Sequence, residues 1–191
     1  SSTTAAATPS GSGGASADPN SPCATPSEAL PSPSTYASAP PASLAEKKTW
    51  NFAVETTCGP IGIRLDGAKA PQAVASTIFL AQKGFWDNTR CHRLTTEGIF
   101  VLQCGDPEGT GGGGPGYSYG PVENAPADNV YPAGTVAMAR QGNKGDSMGS
   151  QFFLVYKDST IPSDSAGGYS VVGTIVGGLD TVEKVAAGGV L

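Results

Sequence analysis

The sequence predicts a mainly β fold, an antiparallel barrel with helical plugs, on three observations. Apolar and polar residues alternate over short stretches, at Trp50, Phe52 and Val54 and again at Ile61, Ile63 and Leu65, which is the two-residue period of half-buried strands. Only two segments carry helical spacing, and they stand apart rather than alternating with strands as βαβ units do. Charged residues make up only 14% of the 191 residues and glycine supplies 27 of them, a loop-rich composition.

Taken in order, residues 1–48 form a zone of their own. Ser, Thr, Ala, Pro and Gly dominate it, and it holds half of the 16 prolines but almost no large apolar side chain. Such a segment buries too little surface to offset its ordering entropy, so it reads as a disordered tether, with the folded domain at 49–191. The two alternating runs flank Thr57-Cys58-Gly59-Pro60, a turn cluster, and so form a hairpin. A helix follows, with Pro71 in its first turn, Val74, Ile78 and Ala81 on one stripe, and Gly84 as its stop. Asn124 to Pro132 is a loop, Gly134 to Ala139 a strand, and Arg140 to Met148 a polar connection. Gln151 to Tyr156 is apolar on both alternating sets, which predicts a strand buried on both faces. Tyr169 to Val176 is a further strand, and Leu179, Val182, Val185 and Ala186 give a closing helix stopped at Gly188-Gly189.

Several function classes are excluded. A net charge of −5 disfavours nucleic acid and anionic lipid as partners. No apolar run approaches the ~20 residues of a membrane span. The glycine run from Gly109 to Gly116 lacks the Gly-Lys-Ser/Thr ending of a phosphate loop. His92 is the only histidine and no Cys-x-x-Cys spacing occurs, so zinc is disfavoured. The numbering opens on Ser1, so an upstream signal or anchor removed from the chain is an expectation, although none is visible.

The focal stretch runs from Cys91 to Asp106, two short strands joined by a turn around Thr95 to Gly98. One arm carries Arg93 and the other carries Phe100 and Gln103. A cationic fork, an apolar ring and an amide brought together suit an apolar ligand that bears an amide. An ordinary hairpin with a surface arginine is the plainer reading of this stretch alone. His92 adjoins Arg93 on a strand and therefore faces the other way, so it is read as structural, which also disfavours a serine-hydrolase base. Cys23, Cys58, Cys91 and Cys104 allow three pairings. The two arms of the hairpin put Cys91 with Cys104 first, which would leave Cys23 with Cys58 to tie the tail to the domain. Disulfides would imply an extracytoplasmic compartment.

Further pieces follow in order: Phe100-Val-Leu-Gln103 with Gly105-Asp106, the Gly109-Thr-Gly loop, Val136-Ala-Met138-Ala139, Gly149-Ser-Gln-Phe-Phe153, and the late Val-Val-Gly173. With His92-Arg93 ahead of them, they make the chain from Trp50 onward resemble a cyclophilin, a peptidyl-prolyl cis-trans isomerase. The cysteines and the insertion in the focal hairpin resemble a bacterial, actinobacterial extracytoplasmic branch. The resemblance implies a closed eight-stranded antiparallel barrel with a helix at each end, working as a monomer without metal or cofactor. Arg93 takes the catalytic arginine's place, with Phe100 beside it and Gln103 orienting it. Phe100, Val101, Met138 and Phe153 take the walls of the proline pocket. Ala139, Arg140 and Gln141 take the edge that holds the peptide backbone, and Tyr169 stands where the family often has histidine.

There are departures. Trp50 and Trp86 do not match the family's groove tryptophan, whose region is Thr160-Ile161-Pro162 here, so cyclosporin binding is expected to be weakened. Arg140 replaces a usual asparagine, and Met148 departs from the common pattern. The family normally continues past the position of Leu191 into a last strand, without which the first hairpin has an unpaired edge. The implied function is an extracytoplasmic isomerase, secreted or tethered to the envelope, acting on proline-containing peptides and unfolded exported proteins. A tethered proline-peptide binding module or chaperone is the alternative, and an envelope structural protein working through its tail is a weaker one.

Overall fold

The structure, a computed structural model, describes residues 2–9, 23–25, 28–31 and 34–188. Among them are strands β1 Ser2–Pro9, β2 Thr49–Thr56, β3 Gly59–Asp66, β4 Thr89–Arg90, β5 Arg93–Leu94, β6 Val101–Cys104, β7 Val130–Tyr131, β8 Thr135–Met138, β9 Phe152–Val155, β10 Ser159–Thr160 and β11 Val171–Gly177. The α-helices are α1 Pro71–Gln82 and α2 Leu179–Ala187. Nine strands form one sheet in the order β4-β1-β2-β3-β11-β8-β9-β6-β5, and β7 pairs with β10 apart from it. The chain is thus mainly β with two helices, but the expected closed eight-stranded barrel is not what the ladders describe. The sheet has nine strands, and its edges β4 and β5 are linked by Cys91 and His92 with no ladder between them among the described residues.

The ninth strand is β1, which the composition gave no sign of. It pairs antiparallel with β2 from Thr3 opposite Thr56 to Pro9 opposite Trp50. A free strand edge offers a row of backbone donors and acceptors to any extended segment within reach, so the pairing needs no apolar signature. The edge of the first hairpin expected to lie open is therefore filled. Residues 10–22 of the expected tether, and the chain after 188, lie outside the described residues. Other parts of the tether region touch the domain. Tyr36 packs edge-on against Phe79 at 4.9 Å, Gln72 Nε2 donates to the Pro40 carbonyl at 3.0 Å, and Trp50 Nε1 donates to the carbonyl of buried Ala45 at 2.9 Å. Packing begins before Trp50.

The first hairpin follows its pattern. Trp50, Phe52 and Val54 are buried opposite Leu65, Ile63 and Ile61. Thr56 closes the turn, its hydroxyl donating to the Gly59 carbonyl and accepting from the Cys58 amide. Trp86 anchors the core, meeting Phe52, Phe85 and Phe152 edge-on, with its Nε1 donating to the Ser150 carbonyl at 3.2 Å. The disulfides are Cys23–Cys58 and Cys91–Cys104. Their separations of 35 and 13 residues correspond to about 4 and about 3 kcal/mol in the chain-entropy account.

Helix α1 starts at Pro71 with Ala70 as its N-cap, which has no side-chain oxygen to accept the first amides. Glu123, distant in sequence, does so instead, accepting from Gln72 N at 3.2 Å and Ala73 N at 2.9 Å. A carboxylate at this end also meets the positive end of the helix dipole. Glu123→Ala is expected to cost about 1–2 kcal/mol, the usual loss of a cap, read as a lower urea midpoint with an unchanged slope.

Candidate functional site

Strands β6, β8 and β9 carry apolar side chains on both faces, and alternation sorts them into two clusters. Leu102, Val136, Met138, Phe152 and Leu154 join the main core. Val101, Ala137, Phe153 and Val155 form a second cluster with Tyr131, bordered by Ile99, Ala139, Ile161, Tyr169 and Val171. A hollow of about 150 Å³ opens over it, lined by Arg93, Ile99, Val101, Gln103, Ala139, Arg140, Phe153, Ile161 and Tyr169. Tyr169 meets Phe153 edge-on at 5.4 Å, and its amide donates to Tyr131 Oη at 2.9 Å. Burial pushes the Tyr131 hydroxyl's pKa up, so it stays protonated.

The polar side of the hollow is built on the hairpin. Arg93 on β5 stands directly opposite Gln103 on β6, and Cys91–Cys104 ties the two arms beside that pair. Arg93 Nη1 donates to Gln103 Oε1 at 3.2 Å, Gln103 Nε2 to Gln151 Oε1 at 2.9 Å, and Gln151 Nε2 to the carbonyls of Gly111 and Gly113 at 2.9 Å each. An exposed guanidinium is thereby held at the mouth of an apolar slot.

Two of the expected walls of the proline pocket meet a different geometry. Phe100 does not line the slot: its ring packs edge-on on Tyr156 at 6.0 Å, with Lys157 Nζ 4.6 Å above its centroid. Met138 is 2% exposed and lies in the main core beneath the sheet. Both are off the groove by the same alternation, since Val101 and Gln103 line the slot and Ala137 belongs to the cluster beneath it, with Ala139 at its edge. Ile99 stands where Phe100 was expected, and its parity with Val101 and Gln103 was the signal for it. Gln141 is exposed and lines an adjoining polar hollow of about 270 Å³ together with Gln151 and the Gly111–Pro115 loop. Gln151, given no role from the sequence, shares its strand face with Phe153. The structure brings Arg93, Val101, Gln103, Ala139, Arg140, Phe153, Ile161 and Tyr169 together.

Arg140 is a bracket whose donors turn inward. Its side chain is fully buried. Nη1 and Nη2 pair with the Asp164 carboxylate at 3.0 and 2.9 Å, Nη2 also reaches the Gly167 and Gly168 carbonyls, and the guanidinium lies 4.7 Å over the Tyr169 ring. It fixes the 164–169 side of the hollow rather than reaching for a ligand. The Arg140 hydrogen bonds, with the Asn143 and Ala166 amides, hold the Asp164 carboxyl well below the usual carboxylate range. His92 lies near Gly111, with Nδ1 buried and lacking a hydrogen-bond partner among the described residues. Burial, against the pull of Asp106, lowers its pKa and favours the neutral ring.

The family model for "Cyclophilin type peptidyl-prolyl cis-trans isomerase/CLD" matches residues 51–190. The probable peptidyl-prolyl cis-trans isomerase B of Mycobacterium leprae is 44% identical over 154 residues, covering 74% of this chain and 50% of that protein. Its counterpart in Mycobacterium tuberculosis is 45% identical over 147 residues, covering 71% and 46%. The chain therefore spans about half the length of these two relatives. A Helicobacter pylori peptidyl-prolyl cis-trans isomerase is 36% identical over 146 residues, covering 75% of this chain and 85% of that protein. Among solved structures, a Cryptosporidium parvum cyclophilin type isomerase superposes with a TM-score of 0.56 at 29% identity, covering 66% of this chain and 76% of that one. It has also been solved in the presence of the dipeptide Ala-Pro.

The Asp164 bracket carries a pH signature. A carboxyl whose pKa is depressed by folding stabilises the fold fully above its unfolded value and loses that contribution as pH falls toward its folded value. The stability gap between the wild type and Asp164→Asn is thus expected to hold from neutral pH down to about 4, the unfolded carboxylate value, and to shrink below it. Urea midpoints taken across that range check this.

Proposed function

The chain belongs to the cyclophilin-type peptidyl-prolyl cis-trans isomerase family, and we propose that it speeds rotation about X-Pro bonds by a non-covalent route with Arg93 at its centre. One observation carries this reading: the Arg93 guanidinium and the Phe153 slot share one hollow. Twisting a peptide bond costs about 18–20 kcal/mol because resonance is lost, while the planar X-Pro forms differ by only about 0.5–1 kcal/mol. The catalyst must therefore favour the twisted bond over both planar ones. On twisting, the imide nitrogen regains its lone pair and becomes an acceptor. A permanently charged guanidinium with fixed donors can bond it, or hold the neighbouring carbonyl.

The slot does the other half, with Ile99, Val101 and Phe153 gripping the proline ring while the preceding carbonyl swings. Arg93 is exposed in the free chain, so the bound peptide supplies part of the shielding that strengthens its hydrogen bonds. Phe100 and Met138 contribute from behind the walls, and the Ala139–Gln141 edge runs between the apolar and polar hollows, where a peptide backbone would lie. Ile161 at the rim offers less stacking area than a tryptophan, which favours weak cyclosporin binding. The two disulfides support an oxidising, extracytoplasmic setting with exported proteins as clients. The order of the ladders, whose edge strands are successive in sequence, supports a sheet that closes on itself as a monomeric barrel.

Arg93→Ala is expected to lower kcat/KM for a short X-Pro peptide about 10²–10³-fold, the usual worth of one preorganised donor, with Arg93→Lys between it and the wild type. A coupled isomerisation assay reads this, and an unchanged rate for Arg93→Ala rules the mechanism out. Peptide binding by the wild type without faster exchange would instead describe a tethered binding module.

A further inference from the structure

Asp106 is a buried carboxylate outside the apolar slot, with 0% of its surface exposed. A charge so placed is costly unless hydrogen bonds replace its water. The chain supplies them by winding a glycine-rich loop around it. Oδ1 accepts from the Glu108 amide at 2.8 Å, and Oδ2 accepts from the Thr110 and Gly111 amides at 3.0 and 2.6 Å. Gly109 and Gly111 have φ of +68° and +92°, and a Cβ at Gly113 would collide with Asp106 Oδ1. The glycine run lacks the phosphate-loop motif, but it does wrap an anion, the chain's own carboxylate.

The outer side of that loop leads to the hollow. Its Gly111 and Gly113 carbonyls are the acceptors for both hydrogens of Gln151 Nε2. The polarity of the series is then fixed from its two ends. Carbonyls only accept and a guanidinium only donates, so Gln151 must turn Oε1 to Gln103 Nε2, and Gln103 must turn Oε1 to Arg93 Nη1. Neither amide can flip without breaking bonds on both sides. Asp106 itself lines neither the apolar slot nor the polar hollow.

We infer that Asp106 is a positioning residue for Arg93: its carboxylate shapes the 108–113 loop, the loop's carbonyls set Gln151, and Gln151 through Gln103 aims the guanidinium over the apolar slot. The inference rests on the catalytic reading of Arg93 and adds to it a residue that touches neither substrate nor Arg93. Asp106→Asn keeps the side chain's size but replaces an acceptor oxygen with a donor that faces amides. The loop carbonyls then shift, and the aim of the guanidinium with them.

The test is a double-mutant cycle on the full chain, read by exchange spectroscopy on a short Ala-Pro peptide. Asp106→Asn is expected to lower kcat about 5–20-fold, as small misplacements of a catalytic group do, with KM close to the wild-type value. The Arg93 guanidinium resonances should shift and broaden. In an Arg93→Ala background the same substitution is expected to have no further effect on kcat. Equal losses in both backgrounds, or a kcat loss with wild-type Arg93 resonances, overturn the inference while leaving Arg93's own role standing. An unchanged rate for Arg93→Ala alone instead removes the catalytic reading beneath it. If Asp106→Asn does not give a dispersed spectrum, Gln151→Leu breaks the same series at a partly exposed position. It is expected to show the same dependence on Arg93, and equal losses in both backgrounds overturn the inference there too.

Discussion

Arg93 lies opposite Gln103 on two strands too short to hold their register alone, and the candidate site depends on that register. Strand β5 has two residues and β6 has four. Three contacts pin them: the Cys91–Cys104 disulfide, the His92 amide donating to the Gln103 carbonyl at 3.1 Å, and the Thr95 hydroxyl accepting from the Val101 amide at 2.9 Å. A slip of one residue would turn every side chain to the other face. It would bury Arg93 against the core and present Leu94 to the slot.

The same alternation divides the apolar residues of β6, β8 and β9 between a core and a binding face. Fully apolar strands normally have both faces covered by other elements. Here the second face is covered only in part, by Ile161, Tyr169 and the Arg140 bracket, which leaves the hollow. The bracket is also why a buried arginine is tolerated so close to a binding surface. Its charge is met by Asp164 and its remaining donors by main-chain carbonyls, so it stiffens the rim without competing with Arg93 for a ligand. An unpaired buried guanidinium would instead be strongly destabilising.

Much of this was legible in the sequence. The alternating runs gave the first hairpin, the first-turn proline gave α1, and the arms of the focal hairpin gave the cysteine pairing that is present. Arg93, Gln103, Val101 and Phe153 converge as their motifs suggest. Phe100 and Met138 were placed at the pocket by their positions in the matching motifs, although the parity argument applied to His92 already pointed both of them away. Strand β1 was not legible because backbone pairing at an edge carries no apolar signature. Strands β7 and β10 were not because two residues make no period. The role of Arg140 lay in its distant partner Asp164, which nothing local announces.

The most direct measurement is the set of nuclear Overhauser contacts between a bound Ala-Pro peptide and isotope-labelled protein, taken while the peptide exchanges between cis and trans. The account predicts contacts from the proline ring to Phe153, Ile99 and Val101, with the Arg93 guanidinium beside the preceding amide and none to Phe100 or Met138. A proline ring seated elsewhere, or exchange that proceeds with Arg93 remote from the rotating bond, would contradict it.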